Sequence, residues 1–315
     1  VDSHPVQLNQ AASPPGLTVG AIVGVQPDAL RDDLDAARDA GFTHVRYTVN
    51  WLQAQPRAGA LDGGVVEAVR ALADEARAAG MKVWLGLLSP DVPRWFDDEG
   101  GFTDDRTAGH WWPRWVEAAA DTFGDHVDGW VPFEAPFAMM QRLAPGDARK
   151  QGEVMATLTV AWRDAWRLLH GPHPVATSLD VKTVHIPTDD VVAADWARRD
   201  DQLRWRTWLR AMADGIVTIP GRADKELADM AGSCDQLGLA LSGSGVGDLE
   251  GVLHRTAEQA NDLPMAITYR PIGADRDARA EAVSDVLAAT QRFASSLPIE
   301  RITFTDAQAA ANALR

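Results

Sequence analysis

Glu134 stands in the run GWVPFEAPF (129–137), between an apolar stretch and a proline. A carboxylate in that setting can serve as a general acid or base, or accept hydrogen bonds from ligand hydroxyls. The competing reading is a structural ion pair with Arg46 of HVRYTVNW (44–51), because a buried charge without a partner is costly. Tyr269, in MAITYRP (265–271), carries a phenol whose ordinary pKa is near 10. It becomes a nucleophile only under strong activation, which a neighbouring arginine could supply; otherwise it fills space or bonds a ligand. Trp51 and Trp95 offer rings on which a sugar could stack, against a packing role in the core. His185 is either a base or ligand contact, or a loop histidine with neither role. No H-x-x-x-H or H-x-H spacing occurs among the histidines, so no metal is expected. Neither a G-x-S-x-G elbow nor a P-loop is present.

These residues must be positioned by regular elements, and the hydrophobic pattern supplies them. Apolar runs read as strands over 17–23, 43–49, 82–88, 128–133, 174–179, 236–241, 265–269 and 299–305. Helical periodicity follows each of them, over 28–40, 64–79, 110–123, 152–169, 191–213, 248–261, 275–295 and 307–314. Strands with near-continuous apolar character, each followed by a helix, imply a parallel sheet covered on both faces. Eight such units in about 300 residues predict a single-domain α/β fold, a (β/α)8 TIM barrel over 17–315. No G-x-G-x-x-G follows the first strand, which argues against an open dinucleotide-binding sheet. Residues 1–16 are polar and proline-rich and read as a flexible arm. In such barrels chemistry gathers where strands end, and Arg46, Ser89, Glu134, His185 and Tyr269 all fall at or just beyond those ends.

Composition narrows the partners. The 315 residues carry 30 Lys and Arg against 45 Asp and Glu, a formal net charge of −15. That balance disfavours nucleic acid, which needs a basic face, and an anionic membrane surface. No run approaches the roughly 18 apolar residues of a membrane span. Cys234 is the single cysteine, so no intramolecular disulfide forms. The first residues show neither a basic nor an apolar leader segment. The expectation is a cytoplasmic protein with no cofactor and a small-molecule partner. Twelve tryptophans beside two tyrosines suit either a large core or a sugar-stacking surface.

Several runs, in order, resemble glycoside hydrolase family 1, the retaining β-glucosidase family. RYTVNWLQAQP (46–56) is similar to its R-x-S-x-x-W-x-R-x-x-P segment, and LLSPDVPRWFDDEGGF (87–102) to its T-L-x-H-W-D-L-P…G-G-W loop. FGDHVDGWVPFEAPF (123–137) resembles F-G-D-x-V-x-x-W-x-T-F-N-E-P, LAPG (143–146) its A-P-G, and LPMAITYR (263–270) its L-P-x-x-I-T-E-N. The resemblance implies a β-glucosidase-like barrel acting on carbohydrates or glycosides. Such enzymes need two carboxyl groups about 5–5.5 Å apart, one as acid/base and one as nucleophile. Carried over onto this sequence, the acid/base position is Ala135, the nucleophile position is Tyr269, and the sugar-binding histidine position is Ser89. Arg46 and Trp51 are retained. The resemblance therefore implies a barrel of this ancestry that has lost the double displacement and binds a carbohydrate or polyol-like small molecule. The alternative is an active enzyme with altered chemistry, with Glu134 as general acid/base. Candidate ligand contacts are Arg46, Trp51, Ser89, Trp95, His185 and Tyr269.

Overall fold

The computed structural model describes residues 16–24, 27–88, 91–260 and 263–314, with the backbone alone for 27–31. Residues 1–15 of the expected arm, and Ser89, lie outside the described residues. Eight parallel strands form one sheet: β1 (Thr18–Ile22), β2 (His44–Thr48), β3 (Lys82–Gly86), β4 (Gly129–Val131), β5 (Leu179–Asp180), β6 (Leu237–Gly243), β7 (Met265–Pro271) and β8 (Ile299–Phe304). Their hydrogen-bonded order is β4-β3-β2-β1-β8-β7-β6-β5. Single parallel bridges Trp130↔Val175 and Ala176↔Gln236 link the two edges, so the sheet curls toward closure as a barrel. The fold is a single-domain (β/α)8 barrel, as the alternation of the sequence predicts.

The helices form where the sequence places their caps. Asp62, Asp104, Asp147, Asp190 and Asp275 each accept a backbone N–H in the first turn of the helix that follows. Each such cap stabilises its helix by about 1 kcal/mol, which gives part of the acidic excess a local purpose. The expected helix 191–213 is instead built in three pieces. Helix Val191–Asp201 passes through a π-helical turn, Gln202–Arg206, into helix Thr207–Asp214. A short antiparallel pair, Ile216–Val217 with Lys225–Glu226, follows it. Strand β5 is shorter than its apolar run, and a helix Pro136–Leu143 begins two residues after Glu134. Among the described residues, no helix is long and apolar enough to cross a membrane.

The core has two parts. Outside the barrel wall, between strands and helices, lies a large apolar layer. Much of it is tryptophan: Trp51 stacks on Trp115 with centroids 5.7 Å apart, and Trp112, Phe133, Trp162 and Trp208 continue the cluster edge to face. Three of the indole N–H groups are satisfied inside it, Trp112 on Ala161 O at 2.8 Å, Trp115 on Leu87 O at 2.8 Å and Trp162 on Ser233 O at 2.8 Å, while Trp208 Nε1 is buried without a hydrogen-bond partner. Among the described residues, the apolar cluster inside the barrel is Trp84, Val131 and Ala176, and His44, Arg46, Thr268, Arg301 and Thr303 are buried beside it.

Where β5 meets β6 the backbones touch. Gly238 N–H donates to Thr177 Oγ1 at 2.8 Å, and a Cβ on Gly238 would overlap Thr177 O. The overlap is with backbone, which cannot rotate away. Gly238→Ala is therefore expected to lower unfolding free energy by about 1–3 kcal/mol, measured by urea denaturation. An unchanged midpoint would mean that the strands do not approach this closely.

Candidate functional site

Among the described residues, a cavity of about 1100 Å³ opens at the carboxyl ends of the strands. Glu134, Asp180, Ser242, Thr268, Arg270 and Thr305 are among the residues that line it, contributed by the ends of β4 to β8. A smaller hollow of about 480 Å³ lies between helices Asp105–Phe123 and Ala148–Leu169, outside the barrel. The mouth is the candidate site, because βα-loop ends are where such barrels concentrate converging polar groups.

Arg46 is the centre of the site. Its side chain rises from β2 into the lumen and is only 1% exposed. Nη2 meets Glu134 Oε1 at 2.7 Å, and Nη1 donates to Thr268 Oγ1 at 3.0 Å. Nε is buried without a hydrogen-bond partner. Burial pushes the Arg46 guanidinium below its usual range, and the Glu134 charge pulls it back up. Glu134 is 30% exposed, so its carboxylate faces Arg46 on one side and the cavity on the other.

Glu134 is held by an unusual backbone. Ala135 adopts φ 48° and ψ 58°, the left-handed region, and is the one non-glycine described residue with positive φ. That conformation costs about 1–2 kcal/mol. Neighbours on β5 hold it: Ala135 N–H donates to Ser178 O at 2.8 Å. Asp180 receives Phe137 N–H at 3.0 Å and Ala138 N–H at 2.8 Å, which clamps the start of helix Pro136–Leu143. Arg204, from the π-helical turn, reaches the same carboxylate at 3.4 Å. Burial pushes the Asp180 carboxyl up, against the pull of Arg204 and the two amides.

Strand β7 corrects the sequence expectation. The residue it brings to Arg46 is Thr268, not Tyr269. The Tyr269 hydroxyl belongs instead to the loop after β6: it accepts Gly245 N–H at 3.1 Å and lies 2.7 Å from Gly243 O and 3.0 Å from Gly245 O. Burial pushes this phenol up, which disfavours the phenolate a nucleophile needs. Tyr269 lines the cavity but serves as a latch for the glycine-rich loop.

The other expected contacts separate. Trp51 is fully buried and bonds Gln55 Oε1 at 2.9 Å through its N–H, so it has no face for a ligand. Trp95 is half-buried, donates to Gln55 O at 3.0 Å and packs edge-on against Trp51 and Trp111. His185 is exposed and lies outside the cavity lining. Asp180, Arg204, Thr268 and Arg270 are the site residues that sequence reading missed. Asp180 stood at an identified strand end, and Thr268 was a lone hydroxyl in an apolar strand. Nothing in the sequence marked Arg204.

Deeper in the lumen lie His44 and Arg301. His44 Nε2 is 2.8 Å from Thr303 Oγ1, and Arg301 donates to Gln236 Oε1 at 3.2 Å while its guanidinium lies 3.7 Å from the Trp84 ring centroid. Burial, then the nearby Arg46 charge, push Arg301 down to about 9.

Against this geometry the relatives can be read. Glycosyl hydrolase family 1 matches residues 27–217, more than half the chain, and the chain belongs to that family. Among solved structures, the psychrophilic β-glucosidase BglU of Micrococcus antarcticus superposes with a TM-score of 0.76 at 18% identity, over 90% of this chain and 80% of that one. The β-glycosidase of Pyrococcus horikoshii gives 0.73 at 17%, over 87% and 73%. In sequence, the chloroplastic galactolipid galactosyltransferase of Arabidopsis thaliana is 30% identical over 149 residues, 44% of this chain and 24% of that protein. Klotho of Mus musculus is 26% identical over 170 residues, 50% of this chain and 17% of Klotho. The chain thus spans about a quarter or less of the length of these two relatives.

His44 makes a pH prediction. Its pKa is lowered well below 6.5 by burial and by the charges of Arg301, Arg46 and Lys82. Below pH 6.5 the unfolded chain takes up a proton that the folded chain refuses, so acid erodes stability. His44→Gln is expected to flatten the stability curve between about pH 6.5 and pH 4.5. Urea unfolding across that window measures it, and an unchanged slope would assign the acid sensitivity to carboxylates instead.

Proposed function

We propose that this chain is a glycoside hydrolase family 1 barrel that has lost the retaining double displacement and binds a carbohydrate or polyol-like small molecule at its mouth. One observation carries the reading: across the lumen from Glu134, β7 offers Thr268 to Arg46 and no carboxylate. A retaining mechanism needs two carboxyl groups on opposite sides of the scissile bond. On the family's pattern the acid/base position falls on Ala135, and the nucleophile position falls on Tyr269. Neither a methyl nor a latched phenol can perform those steps. What remains suits hydroxyl recognition: Glu134 as acceptor, Ser242 and Thr305 at the rim, and Arg46 beneath.

A second reading rests on the exposure of Glu134. A carboxylate that lines an open cavity can act as general acid/base in an altered reaction. An enzyme acid must be neutral before it reacts, and a neutral Glu134 would leave the buried Arg46 without its counter-charge. That favours binding over catalysis.

Aryl β-glucosides test both. No turnover above background is expected, together with a rise in melting temperature on adding glycosides or simple polyols. A robust rate that disappears in Glu134→Gln would reverse the ranking in favour of the enzyme. No thermal shift with any member of a broad sugar panel would remove the binding reading.

A further inference from the structure

Among the described residues six large apolar side chains are exposed, and four of them fall within eleven positions: Ile186, Val191, Val192 and Trp196. Three of the four stand on helix Val191–Asp201, which leads into the π-helical turn. Val191 is 76% and Val192 68% exposed, and Trp196 lies one turn beyond Val192 on the same side of the helix. A helix on the outside of a domain ordinarily buries its large apolar residues and shows its small and charged ones. This helix does the reverse. Its buried residue is Ala194, with Ala193 and Ala197 half-buried, while the two valines and the indole are exposed.

Charge selects what can cover this face. The whole chain carries a net −15, but residues 182–206 carry five basic and five acidic side chains. A second copy is repelled by the like charge of the chain as a whole, and least so over this neutral segment. A strongly charged partner or an anionic membrane gains nothing from it. The pattern is also complementary to itself. Asp195 and Arg198 stand on either side of Trp196 and Ala197, both exposed, and Arg198 Nη1 donates to Asp195 Oδ1 at 2.7 Å. That single bond leaves a second carboxylate oxygen and further guanidinium N–H groups. In a two-fold interface residue i meets residue j of the other copy and j meets i. An axis between Trp196 and Ala197 sets each Asp195 opposite the second copy's Arg198 and brings the two indoles side by side.

We propose that the outward face of helix Val191–Asp201 is the interface of a two-fold dimer, in which a second copy of this chain lays the same helix antiparallel across it. Val192 and Trp196 form its apolar centre, Val191 flanks them, and crossed Asp195–Arg198 pairs fix the register. A single helix face is small beside the roughly 800 Å² that each partner of a stable complex buries, which suits a dimer that dissociates on dilution. The helix runs directly into the turn that carries Arg204 to Asp180, so the second copy abuts the support of the mouth. The inference does not rest on the ligand reading, and either can fail without the other.

Sedimentation velocity of the full chain, from about 1 μM to about 300 μM, tests it. The mass is expected to rise from one chain toward two across that range. Replacing Val192 and Trp196 together by serine should weaken the dimer at least about tenfold. Asp195→Arg and Arg198→Asp should each do the same alone, because each sets like charges opposite one another. An equimolar mixture of these two single variants should recover the dimer, since every crossed pair in the mixed species again joins opposite charges. All the substituted positions are exposed, and a melting curve checks that each variant folds. A single-chain mass at every concentration overturns the proposal. A dimer indifferent to all four substitutions overturns it too, because another face then holds the copies. Single variants that stay monomeric when mixed rule out the antiparallel arrangement and with it the proposal. A monomer that instead sediments with phosphatidylcholine vesicles, and loses them in the Val192, Trp196 double variant, overturns it in favour of a lipid surface.

Discussion

A guanidinium buried in the middle of a parallel barrel sets the terms for everything around it. Arg46 cannot reach solvent from β2, and arginine does not escape the cost of burial by losing its proton as a lysine would. It needs partners inside the lumen, and they come from strands far apart in sequence: Glu134 after β4 and Thr268 on β7. Glu134 must then be aimed inward. The left-handed turn at Ala135 does so, and the Asp180 clamp holds that turn. Arg204 in turn neutralises Asp180, and the π-helical turn supplies Arg204. One buried charge thus accounts for a strained residue, an irregular helix and two ion pairs.

The same chain of dependence reaches the loops. The β5 and β6 loops are joined through Asp248 and Thr183, and the β6 and β7 elements through Tyr269 and through Ile272 N–H on Gly243 O. Three neighbouring segments of the mouth therefore move together or not at all. A latched rim of this kind favours a preformed cavity, in which affinity is not spent on ordering loops.

The elements were legible because their signals are local. Apolar runs, helical spacing and the aspartate caps each sit within a few residues of what they specify. Strand orientation was not. In a strand buried on both faces the apolar residues do not alternate, so the sequence of β7 cannot say whether position 268 or 269 faces the lumen. Alignment to a family motif favoured Tyr269, and hydrogen bonding selected Thr268. Trp51 failed for a related reason. Its place after a strand suggested the mouth, but a short helix, Trp51–Ala54, turns it into the outer tryptophan layer. The Glu134–Arg46 contact, by contrast, was readable from charge: two opposite charges at the ends of strands that flank β3 leave few ways to bury an arginine.

Fold and chemistry are separable here because different layers carry them. The outer layer, with its tryptophans and its helix faces, holds nearly all of the apolar burial, at roughly 25 cal/mol per Å² of apolar surface removed from water. Among the described residues the lumen contributes a three-residue apolar cluster, and His44, Arg46 and Arg301 bond there to Thr303, Thr268 and Gln236. Substitutions at the strand ends thus change what the mouth can do while leaving the outer packing intact. Such a barrel can drift from one chemistry to another, or to binding alone, under one restriction. Whatever replaces a carboxylate at the mouth must still leave Arg46 a partner, and in this chain that obligation falls on Glu134.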